Sequence, residues 1–224
     1  MDRRTYARIE EYMLSCMKDA AHDKEHVYRV LNNAVRIAQA EENVNWDVLI
    51  AAALLHDISR PEQIADPRVD HAAHGAEKAH TFLVQQGFTP AFCQHVRACI
   101  RTHRFRKAEQ PATLEARILF DADKLDVAGA IGVARTLAYN GETGRPIYTR
   151  DGAGVILDGA EDQEDSFFRE YKFKLEGICG HFLTETGRDL ARARHAAAKA
   201  YYDALLREVR DDTGLTALQA MLDA

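Results

Sequence analysis

No apolar run in this sequence approaches the roughly 20 residues needed to span a bilayer, so a membrane-spanning protein is not expected. The start of the chain, MDRRTYARIEEYM, carries charge but no following apolar stretch, so it does not read as a secretory signal and a cytoplasmic location is expected. Cysteine is scarce and scattered: Cys16, Cys93, Cys99 and Cys179 form no C-x-x-C pair and sit within predicted helices, so neither a zinc knuckle nor a disulfide framework is suggested. The net charge of −6 argues against long nucleic acid as a partner, because such binding needs a concentrated basic surface, and leaves room for a small anionic substrate in a local cationic pocket. No serine or cysteine is set beside a histidine in a recognisable motif, so covalent catalysis is not suggested. Neither a fixed-period repeat nor a low-complexity tract is present. Alternating, strand-like patterning is missing too.

What fills the chain is helical periodicity, over about 3–20, 24–41, 46–58, 70–86, 90–104, 112–127, 128–139, 164–184, 187–210 and 214–222. These segments predict an all-α, single-domain fold of 224 residues, with a motif-bearing core at about 20–140, a long loop at about 140–160 and C-terminal helices at about 164–222. Arg60-Pro61 and Asp66-Pro67 punctuate one connection, Gly87 with Pro90 another. The loop at 140–160 is long enough either to cover a site or to be a plain connection.

Polar residues in apolar helices carry the functional signal. The stretch VLIAAALLHDIS is apolar around its whole circumference until His56 and Asp57. A carboxylate there needs a counter-charge or strong hydrogen bonds, which a metal beside a histidine supplies and a buried His–Asp hydrogen bond also supplies. Upstream, Val27, Val30, Leu31, Ala34, Ile37 and Ala38 share one helical face with His26 at its edge, and His22, His26, Arg29 and Asn33 form a polar stripe on that flank. His26 taken alone reads equally as a core histidine. Downstream, LEARILFDADKLD sets Asp121, Asp123 and Asp126 in a largely apolar helix, and periodicity does not choose which faces inward.

The ordered segments HDKEHVYRV, AALLHD, DADKLDVAGAIGVART and GRPIY resemble the HD superfamily of metal-dependent phosphohydrolases, with the pattern H…HD…D, and in particular its small stand-alone bacterial branch. The resemblance implies a helical bundle with the metal at its centre, and it places His26, His56, Asp57 and Asp123 on the metal ligands. Asp121, Asp126 and His22 then become candidates for supporting the ligands or for acid/base roles, with Glu62 a further candidate acid. Two imidazoles and two carboxylates suit Mn, Fe, Co, Ni or Zn better than Ca, and Mg is also admitted. Sister proteins with two metals carry a histidine four residues before Gly-Ala-Glu and another at the end of the next helix. Here His71 precedes Gly75-Ala76-Glu77 and points inward with Gly75, Ala79 and Phe82, whereas His74 points outward. His103 closes a face built from Phe92, Val96, Cys99 and Ile100. His71 and His103 are therefore expected either to bind a second ion bridged by Asp57 or to touch phosphate, the alternative being ordinary buried histidines. Arg29, Arg60, Lys124 and Lys174 are the candidate substrate-binding cations.

The function this implies is hydrolysis of a small phosphorylated metabolite, a nucleotide first among them, by water activated on a divalent metal. The alternatives are a phosphodiesterase of a cyclic nucleotide or related signal, against which the absence of a GYP signature counts, and a nucleotide-binding sensor without turnover. These features do not decide between a monomer and a homodimer.

Overall fold

The computed structural model describes residues 1–17, 24–104 and 109–223, so His22 lies outside the described residues. Among these the protein is helical, with no β-strand and one isolated bridge between Arg150 and Ile156. Among the described residues no helix is long and apolar enough to cross a membrane. The helices are α1 (Arg3–Cys16), α2 (Lys24–Ala38), α3 (Trp46–Leu55), α4 (Arg60–Ala65), α5 (His71–Gln85), α6 (Pro90–Arg101), α7 (Leu114–Leu125), α8 (Gly129–Thr143), α9 (Phe167–Glu170), α10 (Glu185–Arg210) and α11 (Thr213–Leu222). The chain divides into two compact units, Met1–Asp126 with Phe182–Asp189, and Val127–His181 with Leu190–Ala224.

In the first unit α3 is the central rod. Asn45 caps it by accepting from the Val48 N–H at 3.2 Å, and Glu115 in turn accepts from the Asn45 N–H at 2.7 Å. Val48, Leu49, Leu54 and Leu55 are fully or almost fully buried, each contributing roughly 1.5–3 kcal/mol of apolar burial. The neighbours of α3 start cleanly because each brings its own cap: Asp70 for α5, Thr89 followed by Pro90 for α6, and Thr113 for α7. Helix α2 is joined to α7 by its polar stripe, in which Asn33 donates to the Ala122 carbonyl at 3.2 Å.

The second unit closes around Val133, Ile156, Phe167, Phe168, Tyr171, Leu175, Ala198 and Tyr202, with the Tyr171 and Tyr202 rings stacked 4.0 Å apart. In this unit the helix expected over 164–184 is broken. A single α-turn, α9, gives way to a π-helical turn, Tyr171–Leu175, and then a 3-10 turn, Ile178–His181. Gly177 and Gly180 fall in this stretch, where they weaken a continuous α-helix by roughly 1 kcal/mol each relative to alanine. A second departure lies in the first unit: the connection carrying Arg60-Pro61 is partly helical, as Pro61 occupies the first turn of α4, where its missing N–H costs nothing.

Candidate metal centre

Five elements of the first unit bring the polar residues of the motifs together. Helix α2 supplies His26 near its start, the end of α3 supplies His56 and Asp57, α5 supplies His71 at its first position, the residues after α6 supply His103, and α7 supplies Asp123. Ligand atoms of His26, His56 and Asp123 all lie within 4.8 Å of one another, and those of Asp57, His71 and His103 form a second such group. The two groups meet at Asp57. Its Oδ2 lies 3.6 Å from His26 Nε2 and 3.9 Å from His56 Nε2, while its Oδ1 lies 3.2 Å from His71 Nε2 and 3.6 Å from His103 Nε2.

All four imidazoles are oriented from behind through Nδ1. His56 Nδ1 is 2.8 Å from the Ala53 carbonyl and His103 Nδ1 is 2.6 Å from the Ile100 carbonyl. A carbonyl oxygen only accepts, so both Nδ1 atoms carry the proton and both Nε2 lone pairs face the centre. His26 Nδ1 faces the Asp126 carboxylate at 2.7 Å, and His71 Nδ1 faces the Gln63 amide oxygen at 2.6 Å. Asp126 is buried and also accepts from Arg29, through Nε at 2.7 Å and Nη2 at 3.1 Å. The polar stripe of α2 thus faces α7, with Arg29 committed to the carboxylate that orients His26.

This donor set fits a cation. The Nε2 atoms of His26 and His56 are 3.3 Å apart, and Asp123 Oδ1 is a further 3.3 Å from the first of them. Two lone pairs and a carboxylate oxygen facing one another in buried surroundings repel unless positive charge lies among them. The electrostatics of the bare chain show the same demand. Burial pulls the His26 imidazole toward neutrality, yet its hydrogen bonds to Asp123 and Asp126 overcome this and push its pKa up to about 9. His56, completely buried, is pulled down to about 4. Burial alone would raise the Asp57 carboxyl, but the surrounding His56, His103 and His71 hold it well below the usual carboxylate range. Asp123 is likewise lowered by His26 despite its burial. A site that draws a proton onto a buried imidazole at neutral pH favours a divalent cation in its place.

The remaining sequence candidates separate. Asp121 turns away from the cluster: its carboxylate accepts from the backbone N–H of Leu183 at 2.9 Å and from the N–H and hydroxyl of Thr184 at 2.7 and 2.6 Å. Arg60 Nη1 donates to Gln63 Oε1 at 2.7 Å beside His71, and Lys124 Nζ sits 4.4 Å from the Phe120 ring centroid. Glu62 pairs with Lys78 at 2.6 Å. His74, exposed, contacts the Ser59 hydroxyl through Nδ1 at 2.6 Å. Lys174 belongs to the second unit, where it pairs with Glu170 at 2.6 Å. Sequence reasoning passed over Gln63 and also Arg104, whose Nη1 lies 3.5 Å from His71 Nδ1. No motif marked either one; both contact His71 Nδ1, Gln63 from 8 residues upstream and Arg104 from 33 residues downstream.

The HD domain pattern matches residues 24–128 of the chain. The solved structure of a predicted HD-superfamily hydrolase from an uncultured Thermotogales bacterium is 32% identical, covers 92% of each chain and superposes with a TM-score of 0.60. The chain belongs to the HD superfamily of hydrolases. YpgQ of Bacillus subtilis, whose structure was determined in complex with ADP, is similar as well, at 26% identity over 92% of this chain and 98% of that one, with a TM-score of 0.69. HD domains bind divalent metals, and the His/Asp clusters of this HD protein are compatible with one.

Proposed function

We propose that this HD protein is a metal-dependent phosphohydrolase of a small phosphorylated metabolite, and that the metabolite is a nucleotide. The observation that carries the reading is the meeting of two three-residue donor groups at the Asp57 carboxylate. In this reading His26, His56, Asp57 and Asp123 hold one divalent cation, and His71 and His103 share Asp57 to hold a second. A cation bound there supplies Lewis acidity toward a phosphoryl oxygen and lowers the pKa of water to near neutrality.

The chain's own residues supply the rest. Asp126 and the Ala53 carbonyl fix the tautomer and direction of His26 and His56, so the donors are set before any ligand arrives. Arg29, held by Asp126 and one-third exposed, contributes positive charge at the margin of the cluster, and Arg60 does so beside His71. Such fixed charges favour a substrate phosphate and offset charge developing on it. His26, His56, His71 and His103 are themselves buried, which strengthens the interactions made through their rings. The ADP held by YpgQ favours a nucleotide over other phosphate esters.

The test is a screen of nucleoside mono-, di- and triphosphates, cyclic nucleotides and simple phosphate esters with Mn, Co, Ni, Zn and Mg, resolving phosphate from pyrophosphate. Metal-dependent release of either from a nucleotide is expected. Turnover of cyclic nucleotides alone would replace this reading with a phosphodiesterase, and saturable nucleotide binding without turnover would replace it with a sensor.

A further inference from the structure

Among the four histidines of the cluster, His71 is held differently. His56 and His103 lean on carbonyls within one turn of their own helices and His26 on a carboxylate, but the acceptor for His71 Nδ1 is a side-chain amide from α4. That amide has a defined direction. Gln63 Nε2 donates to the Val69 carbonyl at 3.0 Å, which turns Oε1 toward His71 at 2.6 Å and Arg60 Nη1 at 2.7 Å. Helix α4 is itself anchored, with Lys78 of α5 bridging Glu62 at 2.6 Å and the Ile58 carbonyl at 3.1 Å.

Among the described residues, the other polar contacts of His71 Nδ1 are with donors. Arg60 Nη1 lies 3.3 Å away and Arg104 Nη1 3.5 Å away, and a guanidinium has no acceptor to offer. With Gln63 in place, Nδ1 keeps its proton for Oε1 and the Nε2 lone pair faces the Asp57 side of the cluster. With the amide removed, Nδ1 becomes the acceptor for a guanidinium. The ring proton then leaves Nδ1 and a proton is taken up at Nε2, where Asp57 Oδ1, 3.2 Å away, accepts it. The first tautomer can ligate a cation; the second cannot.

We propose that Gln63 is the positioning residue that keeps His71 in its metal-ligating tautomer, so that occupancy of the His71–His103 position depends on a side chain that touches no metal. This rests on the reading of His71 and His103 as a second cation site. Equilibrium dialysis against Mn2+ alone, with elemental analysis, tests it on the whole chain as wild type, Gln63→Leu and Gln63→Glu. Wild type is expected to show two classes of bound Mn2+. Gln63→Leu should weaken the second class about 10–100-fold and leave the first unchanged, whereas Gln63→Glu, which keeps an acceptor for Nδ1, should retain both. A second class unchanged in Gln63→Leu, or lost equally in Gln63→Glu, would overturn the proposal with the two-cation reading intact. Loss of both classes in Gln63→Leu would reduce Gln63 to a structural role. A single class in wild type would remove the His71–His103 site and this inference with it, leaving His26, His56, Asp57 and Asp123 as they stand.

Discussion

Asp57 is the carboxylate that both donor groups share, with its two oxygens between 3.2 and 3.9 Å of four imidazole Nε2 atoms. Asp57→Asn keeps the size and removes the charge. At a metal concentration about 100 times the dissociation constant, one bound cation stabilises the wild type by about 2.7 kcal/mol. At roughly 2–4 °C per kcal/mol for a chain of this size, that is a rise in Tm of about 5–11 °C on adding metal. If the substitution weakens binding about 100-fold, the same concentration contributes only about 0.4 kcal/mol, or roughly 1–2 °C. Thermal melts of both proteins, with chelator and then with Mn2+ titrated back, measure the difference directly. Hydrolysis of the substrate found by screening should disappear in parallel. A variant whose Tm still climbs by the wild-type amount, or a wild type indifferent to chelation, would refute the assignment of Asp57 as a shared ligand.

His26→Ala and Asp123→Ala should each remove most of the metal held by the first group while leaving helical circular dichroism largely intact; full occupancy by elemental analysis in both would sink that assignment. Asp126→Asn should retain the fold but lower metal affinity about 10–100-fold, because His26 loses its charged acceptor and Arg29 its partner; a titration unchanged from wild type would return Asp126 to a purely structural role. Asp121→Ala should keep metal affinity yet cost roughly 2–6 kcal/mol in urea unfolding, since the N–H groups of Leu183 and Thr184 lose their acceptor at about 1–3 kcal/mol each; a loss under 1 kcal/mol would show that water replaces the carboxylate.

Helix positions were legible in the sequence to within a few residues for most of the chain, because caps and apolar periodicity act locally. In the structure Asn45, Asp70, Thr89 and Thr113 cap the helices whose starts the periodicity marks. Local signals fail where the partner is remote. Periodicity left Asp121 and Asp123 equivalent, and what separates them is a pair of backbone N–H groups 62 and 63 residues downstream that only the fold brings to Asp121. Arg29 reads in sequence as a candidate substrate-binding cation close to His26, and its engagement with Asp126, 97 residues away, carries no motif. Gln63 lies in a stretch that reads as a loop, and its amide acquires meaning only from the two guanidiniums that crowd His71. The break after α9 was missed because apolar spacing over 164–184 was followed through Gly177 and Gly180.

The contact between His26 and Asp126 spans 100 residues, and α2 and α7 bracket everything between them. Closing a loop of that length carries an entropy cost of about 4 kcal/mol beyond a constant, and the first donor group cannot be completed before α7 has been made. A nascent chain that has emerged just past α6, as far as His103, already holds His26, His56, Asp57, His71 and His103, yet it lacks the carboxylates of Asp123 and Asp126. Metal capture by the first group therefore follows synthesis of α7. Any ion caught earlier must be held by histidines and Asp57 alone, which makes the order of chain emergence from the ribosome a filter on when this protein can load.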